Sequence, residues 1–298
     1  MLRKYLIHSS FIEVSRFAGE LPFFLIEYLR IMIKTRGFKK KVKKLGRGIS
    51  KVNVLANGPS LESSIPAILK TDGVVFAVNS FPTHWAFTVI KPKYLCFVDS
   101  MYWRPAADLI PEMRTAVEST HDALNMCTWD LSIFVPLAQV KSIAGRIKNP
   151  RIKIIGFDVV YFDFASAYLL TALARISAPP PRKNVAVTAL YISALLGPKS
   201  INIYGLDMDR VHDFNTDQTT NRSYLNYRLF NNDENCEYLY VGKLVNSKSK
   251  TMYVKLDREA SSFKWFAYVS ELCAFKGLKI ENHSAASLVD SIARPKSP

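Results

Sequence analysis

Short apolar runs rich in β-branched residues alternate along the chain with segments of helical spacing. The runs occupy residues 52–56, 74–78, 94–98, 133–135, 152–155, 201–204 and 278–280. Strands that alternate with helices are typical of a parallel sheet with helices on both faces. The sequence therefore predicts a doubly wound α/β domain.

The composition changes at three points along the chain and predicts four segments. Residues 1–50 are amphipathic and basic, and residues 51–207 contain most of the predicted strands. Residues 208–257 are polar and rich in Asn, Asp and Thr, which is typical of a lid over a site. Residues 258–298 are expected to complete the domain with a helix over 258–276, a strand and a short helix that begins at Ser284.

The N-terminal segment joins apolar residues of helical spacing to a basic run over residues 34–51. This order is typical of a protein attached to an anionic membrane surface. The apolar stretch covers only residues 21–33 and contains the charged residues Glu27 and Arg30. It is therefore too short and too charged to span a bilayer or to be a signal peptide. Two alternatives stay open: a solvated linker after a packed helix, and nucleic-acid binding.

The net charge of +15 implies an anionic partner, such as a nucleic acid, an anionic lipid or a phosphorylated substrate. The four cysteines are far apart and form no CxxC pair, which predicts reduced thiols in a cytosolic protein and no metal site. They are Cys96, Cys127, Cys236 and Cys273.

Polar residues follow four predicted strands at the point where each strand ends. These residues are Asn57-Gly58-Pro59-Ser60, Asn79-Ser80, Asp99-Ser100 and Gly205-Leu206-Asp207. Ligands of doubly wound sheets bind beyond the carboxyl ends of the strands, so the four ends predict one site. Gly58 would let the backbone approach a ligand, and the Ser60 hydroxyl with free N–H groups at a helix start would hold a phosphate. The alternative is an ordinary capped turn between a strand and a helix.

The same residues carry a resemblance to a known family. The segment Asn57-Gly58-Pro59-Ser60-Leu61 resembles the opening motif of the bacterial sialyltransferases typified by the Campylobacter lipooligosaccharide enzymes. Residues 75–81 are similar to the family's second-strand motif, whose asparagine, here Asn79, sits on the nucleotide-sugar. Residues 196–207 resemble its helix–strand unit, and residues 281–284 resemble its last strand end. Arg182 falls where the family carries an active-site arginine.

The resemblance implies a Rossmann-like sheet of a GT-A-like variant and a CMP-sugar-dependent glycosyltransferase. The expected reaction moves sialic acid, or a related nonulosonate such as Kdo, to a lipopolysaccharide or lipid-linked oligosaccharide acceptor. It needs no metal and no other cofactor. With the basic N-terminal segment, it implies a peripheral protein on the cytoplasmic face of the inner membrane that binds no nucleic acid. A homo-oligomer is left open. The residues expected at the nucleotide-sugar are Asn57, Gly58, Pro59, Ser60, Asn79, Ser80, Asp99, Ser100, Gly205, Leu206, Asp207, His283 and Ser284.

The chain departs from the family where the chemistry takes place. No tyrosine stands near Asp209 and Asn215, where the family holds the leaving phosphate with two tyrosines, and Asp99 replaces an asparagine. No histidine stands where the family has its base, which leaves Asp257 and His212 as candidate bases beside Arg182.

Each of these candidates has an alternative interpretation. Asp257 could cap the following helix, and His212 could be a solvated loop residue. Separately, three lysines of the polar segment are candidates to replace the missing tyrosines at the phosphate; they are Lys243, Lys248 and Lys250.

Two other functions fit parts of the pattern. Pterin diphosphokinase-like proteins, including flagellin-glycosylation factors, have a similar Gly-Pro-Ser-Leu opening and would use ATP with magnesium held by Asp99 and Asp207. A non-catalytic nucleotide sensor at the membrane is the third possibility. The spacing of the motifs and the Gly205-Leu206-Asp207 unit favour the glycosyltransferase.

Overall fold

The computed structural model describes residues 10–208, 214–217, 222–230, 238–244, 252–285 and 287–295. Seven of its strands form one parallel sheet, in the order β10-β6-β1-β2-β3-β4-β5. The strands are β1 (Lys51–Leu55), β2 (Val74–Val78), β3 (Tyr94–Cys96), β4 (Leu131–Pro136), β5 (Ile152–Phe157), β6 (Ser200–Tyr204) and β10 (Lys279–Asn282).

Strand β1 is paired on both sides. Val54 lies opposite Phe76 of β2 and opposite Ile203 of β6. From β1 the chain progresses outward to β5 and then returns to the other side of β1 as β6. The strand order therefore reverses between β1 and β6, which is the switch point at which open α/β sheets bind ligands.

Helices cover both faces of the sheet, because successive residues of each strand point to opposite sides. Val54 belongs to the apolar core on one face and Leu55 to the core on the other. The first face carries α1 (Ser10–Lys34), α2 (Arg36–Leu45), α7 (Ala167–Arg175), α8 (Val185–Leu196) and α9 (Met252–Phe275). The second carries α3 (Ser60–Leu69), α4 (Phe87–Ile90), α5 (Pro111–Asn125) and α6 (Val140–Arg146). The predicted Rossmann-like α/β fold is confirmed.

Helix α8 is apolar on all sides because it is enclosed between the sheet, α2 and α9. Its N-cap is Asn184, whose side chain accepts a hydrogen bond of 2.8 Å from the Ala186 N–H. Gly197 ends the helix with φ of +77°, a left-handed conformation that favours glycine. Helix α8 therefore has a side-chain cap at its start and a glycine at its end.

Helix α1 packs against α7 through carboxylates. Glu20 accepts hydrogen bonds from the backbone N–H groups of Ala165 (2.9 Å) and Ser166 (3.0 Å), and Glu13 accepts one from the Ser166 hydroxyl (2.7 Å). These donors lie at the N-terminus of α7, where negative charge is favoured by the helix dipole. Farther along α1, Arg30 donates to Asp158 (2.5 Å), the residue that follows β5. Helix α1 is therefore fastened to the α/β domain along its length.

The C-terminal and polar segments differ from the sequence predictions. The polar segment contributes three antiparallel strands, β7 (Phe214–Asp217), β8 (Arg222–Phe230) and β9 (Tyr238–Leu244), for which the sequence predicted no strands. The helix predicted from Ser284 is wrong, because Ser284 is held in a non-helical segment by Asn282 and Leu206. Helix α9 begins at Met252 rather than at residue 258, so Asp257 lies inside it instead of before its first turn.

Two further expectations concern cysteines and membrane spans. Cys96, Cys127 and Cys273 are buried free thiols, as predicted, and burial raises the pKa of Cys96 well above its ordinary value. Cys236 lies outside the described residues. Within the part of the chain that the structure describes, every helix is too short or too polar to cross a membrane.

Asp163 joins the loop after β5 to helix α9. Its carboxylate accepts hydrogen bonds from Lys264 (2.7 Å), Ser261 (2.6 Å) and Trp265 (2.8 Å), and the Lys183 ammonium lies 3.4 Å away. Burial alone would raise the pKa of Asp163, but the Lys264 charge and these hydrogen bonds outweigh it, and the pKa falls to about 2.

We expect Asp163→Asn to lower the free energy of unfolding at neutral pH by about 2 kcal/mol, because a depressed carboxylate pKa stabilises the folded state. Between the unfolded pKa of 3.8 and the folded pKa of about 2, the unfolded chain binds more protons. The contribution is therefore complete above this window and is lost as pH falls through it.

Urea denaturation of both proteins between pH 7 and pH 2.5 measures this effect. The exposed Asp108 provides the matched control, Asp108→Asn, which should change the unfolding free energy by less than about 0.5 kcal/mol. A difference in unfolding free energy between Asp163→Asn and the parent chain that stays constant down to pH 2.5 would contradict the lowered pKa of Asp163.

Candidate functional site

The loops after β1 and β6 touch each other at the switch point. The Gly58 N–H donates to the Gly205 carbonyl oxygen (2.8 Å), and the Ala56 N–H donates to the Tyr204 carbonyl oxygen (2.9 Å). A Cβ atom on Gly58 would lie 2.5 Å from the Gly205 oxygen and 2.5 Å from Asp207 Oδ2. Gly58 was expected to let a ligand approach the backbone. In the structure, the loop after β6 approaches the backbone at this point instead.

The N-terminus of α3 is occupied by Asp207. Asp207 Oδ2 accepts a hydrogen bond of 2.7 Å from the Ser60 N–H, and Asp207 Oδ1 accepts one from the Ser60 hydroxyl. The preceding residue, Pro59, has no side-chain acceptor with which to cap the helix. The sequence predicted that the Ser60 donors would hold a phosphate, and the structure corrects this: they hold a carboxylate. An anionic ligand at the same place would have to displace a group of like charge.

Asn57 presents an acceptor at the carboxyl end of β1. Its Nδ2 donates to the Val78 carbonyl oxygen (3.1 Å) and to Ser80 Oγ (3.2 Å), so the amide bridges the ends of β1 and β2. Its Oδ1 is buried and accepts no hydrogen bond from any described residue. Buried polar atoms are almost always paired, so this oxygen is expected to accept from a bound group.

Asn79 presents a second such acceptor at the end of β2. Its backbone has φ of +46°, a conformation that asparagine tolerates better than most residues. Its N–H donates to the Cys96 carbonyl oxygen (2.9 Å), and its Nδ2 donates to Asp99 Oδ2 (2.6 Å). Asn79 Oδ1 is buried and, like Asn57 Oδ1, is unmatched among the described residues. Among the described residues, two adjacent strand ends therefore each present an unpaired amide oxygen.

Arg182 lies at the same edge of the sheet, beside the segment that follows β3. Asp99 is half-buried and is followed by a 3-10 turn over Ser100–Tyr102, which leads to Trp103. The Arg182 guanidinium lies 5.6 Å from the centre of the Trp103 ring. Arg146 donates to the Trp103 carbonyl oxygen (3.1 Å) and so fixes this turn. Arg182 is exposed and therefore available to an anion.

The ends of β6 and β10 supply His283 and Ser284. The His283 ring stacks on Tyr204 at 5.0 Å between centroids, and burial lowers the pKa of His283 below 6.5. His283 Nε2 is buried and, among the described residues, has no hydrogen-bond partner. The Ser284 hydroxyl accepts from the Leu206 N–H (2.7 Å), so Ser284 orients the loop that carries Asp207.

The candidate bases are not joined to these strand ends. Asp257 is exposed on α9, and no hydrogen bond or ion pair of the described residues links it to the site. His212, Lys248 and Lys250 lie outside the described residues, as does the side chain of Lys243. Within the same described part of the chain, no three His, Cys, Asp or Glu side chains form a group that could hold a metal ion.

Two contacts of this region were not predicted from the sequence. One is the Asp207–Ser60 cap, for which the absence of a capping side chain before α3 was a usable signal. The other is Asp163, which holds Lys183 beside Arg182 and whose partners lie far along the chain. No local pattern marks such a contact.

Comparisons with known proteins find distant structural similarity. No family model matches the sequence, and no curated protein matches it. Among solved structures, the chain is similar to the sialyltransferase CstII from Campylobacter jejuni in complex with CMP-3FNeuAc, at 14% sequence identity and a TM-score of 0.41, over 84% of this chain and 87% of that chain. The complex of CstII with cytidine-5'-monophosphate gives 14% identity and a TM-score of 0.39, over 82% and 84% of the two chains.

We expect Gly58→Ala to lower the free energy of unfolding by about 2 kcal/mol, because its Cβ would force apart the loops after β1 and β6. The matched control is Gly145→Ala in α6, where an added Cβ meets nothing within 4 Å. The control should raise the unfolding free energy by up to about 1 kcal/mol. Thermal and urea denaturation measure both, and equal effects of the two variants would contradict the close approach at Gly58.

Proposed function

We propose that the chain is a CMP-sugar-dependent glycosyltransferase of the sialyltransferase type, with its nucleotide-sugar bound beyond the carboxyl ends of β1, β2 and β3. The observation that carries the proposal is the pair of buried amide oxygens of Asn57 and Asn79 at the switch point, which have no hydrogen-bond partner in the described part of the chain. The motifs that contain these two asparagines are the ones that resemble the sialyltransferase family.

The chemistry of the two oxygens favours a ligand with several hydrogen-bond donors. Leaving a buried acceptor unpaired costs about 1–3 kcal/mol, and a ligand that donates to it would remove that cost. A CMP-sugar offers such donors in the amino group of cytosine and in the hydroxyl groups of its two sugars. We infer that Asn57 and Asn79 recognise these neutral donors rather than the phosphate.

The phosphate requires a different position, because Asp207 occupies the N-terminus of α3. Arg182 is an exposed cation at the carboxyl edge, where its guanidinium lies over the Trp103 ring. We propose that Arg182 holds the phosphate and stabilises the charge that develops on CMP as it leaves. Preorganised cations of this kind supply a large part of transition-state stabilisation.

The proposed transfer forms one bond and breaks one. The acceptor hydroxyl oxygen bonds to the anomeric carbon of the donor sugar, the bond from that carbon to the phosphate oxygen breaks, and CMP leaves with the electron pair. The hydroxyl proton passes to a base. No metal ion is assigned a role in this scheme.

We propose Asp257 as the base. Residues four apart lie on the same face of a helix, so Asp257 lies one turn before Ser261 on the face of α9 that contacts Asp163. That contact also holds Lys183, the neighbour of Arg182. Asp257 is exposed and is therefore accessible to an acceptor.

We expect Asn79→Gly to weaken CMP binding by about tenfold or more, since it removes the acceptor and leaves a backbone that tolerates φ of +46°. The matched control is Lys91→Gly, which replaces an exposed residue with φ of +50° and should leave binding unchanged. Isothermal titration calorimetry with CMP, with and without EDTA, measures both variants.

Two results of that titration would overturn the proposal. One is equal CMP affinity of Asn79→Gly and the parent chain. The other is a chain that binds ATP only with magnesium and does not bind CMP, which would indicate the diphosphokinase-like alternative.

We expect Arg182→Ala to slow hydrolysis of CMP-sialic acid by about 100-fold, because the leaving phosphate loses its cation. Arg175 is a matched control, since it is also exposed and its guanidinium lies 5.2 Å from the centre of the Phe275 ring. Arg175→Ala should retain the parent rate, as measured by release of CMP. A rate for Arg182→Ala that equals the control rate would remove Arg182 from the mechanism.

We expect Asp257→Ala to slow the same hydrolysis by about 100-fold at neutral pH, because water also needs a base. Added formate should restore part of the rate, since a small carboxylate can enter the space left by the side chain. The exposed Asp108 again gives the control, Asp108→Ala. An unchanged rate in Asp257→Ala, or a loss that formate does not reverse, would show that Asp257 is not the base.

A further inference from the structure

Helix α1 exposes an apolar face to the surroundings. We call this the outer face and define it by Leu25, Ile26, Leu29, Met32 and Ile33, whose exposed fractions range from 49% for Met32 to 80% for Ile33. Their spacing of three, four and seven residues places them in one stripe along the helix. Between residues 21 and 33, the exposed positions of α1 carry no charged side chain.

Four charged residues of α1 lie on its opposite face, against the domain. Glu13 and Glu20 accept hydrogen bonds at the N-terminus of α7, and Glu27 pairs with Arg30 at 2.7 Å. Arg30 also donates to Asp158 and to the Val159 carbonyl oxygen. A surface helix normally turns its charged face to water. Helix α1 directs these four charged residues to the domain and its apolar stripe outward, which indicates that the stripe faces an apolar medium or partner.

A basic surface adjoins the outer face. Helix α2 packs on the domain through Phe38 and Val42. Its other side and the residues on either side of α2 expose only basic charge, since residues 34–51 contain no Asp or Glu. We call these exposed residues the basic cluster; they are Lys34, Arg36, Lys40, Lys41, Lys43, Lys44 and Arg47.

We propose that the outer face of α1 inserts into the interfacial layer of a lipid bilayer that contains anionic lipids, while the basic cluster binds their headgroups. An apolar stripe next to a dense positive charge is complementary to an anionic membrane surface, where headgroups lie beside acyl chains. The helix lies along the membrane plane, because its inner face is held by the domain through Glu20 and Arg30.

This attachment determines which edge of the sheet lies near the membrane. Arg30 is bonded to Asp158, the first residue after β5, so the C-terminal half of α1 lies at the carboxyl edge of the sheet. The edge that carries Asn57 and Asn79 is therefore on the same side of the sheet as this end of α1. If the proposed function holds, a lipid-linked acceptor in the membrane would lie near that edge.

Vesicle co-sedimentation of the full chain tests the proposal. We expect binding to vesicles of phosphatidylcholine with phosphatidylglycerol to exceed binding to phosphatidylcholine alone by about tenfold or more, and to fall by a similar factor in high salt. The variant Leu29→Ser/Ile33→Ser should bind the mixed vesicles about tenfold more weakly. Both side chains are exposed, so the thermal midpoint should stay unchanged.

The matched control changes two apolar residues of similar exposure that lie elsewhere. Met126 is 73% exposed and Leu137 is 62% exposed, and neither belongs to α1. Met126→Ser/Leu137→Ser should bind the vesicles as the parent chain does. Asn79→Gly should do the same, because it is expected to weaken CMP binding alone.

Three outcomes would overturn the proposal. Leu29→Ser/Ile33→Ser could bind vesicles as well as the control does, or the parent chain could bind neutral and anionic vesicles equally. The third outcome is a parent chain that ignores vesicles and forms a dimer, which Leu29→Ser/Ile33→Ser dissociates in sedimentation velocity. That result would show that a second copy covers the outer face.

Discussion

The contact of Asp207 with Ser60 governs the geometry of the switch point. It satisfies two donors at the start of α3, which Pro59 cannot cap, and it draws the loop after β6 against the loop after β1. The approach is close enough to require glycine at residues 58 and 205. The strand order reverses between β1 and β6 at this point. The contact therefore also fixes the position of Asn57 at the carboxyl end of β1.

The same contact changes the expected mode of nucleotide binding. A free helix N-terminus attracts phosphate, but one that already holds a carboxylate does not. In the proposed function, the groups left for recognition are the neutral acceptors Asn57 Oδ1 and Asn79 Oδ1, with Arg182 as an exposed cation at the same edge. The proposed function therefore assigns the ligand's hydrogen-bond donors and its phosphate to separate positions, unlike a glycine-rich phosphate loop.

The sequence predicted the parts that depend on local pattern. Apolar runs predicted the strands, and the polar residues after them do converge at one edge, where Asn57 bonds to Ser80 and Asn79 bonds to Asp99. Parts that depend on distant pairing were not predicted. The role of Asp207 depends on a residue 147 positions away, and Asp163 depends on residues about a hundred positions away. The helix predicted to begin at Ser284 is absent from the described residues, because a hydrogen bond from the Leu206 N–H to the Ser284 hydroxyl holds that segment in a non-helical conformation.

A crystal structure of the chain soaked with CMP tests the central claim most directly. We expect cytidine at the carboxyl edge of the sheet, with donors of the ligand within hydrogen-bond distance of Asn57 Oδ1 and Asn79 Oδ1, and with the Asp207–Ser60 contact intact. A phosphate that displaces Asp207 from the N-terminus of α3 would contradict it. So would CMP bound at the opposite edge, in the 500 Å³ cavity near Lys148 and Arg151.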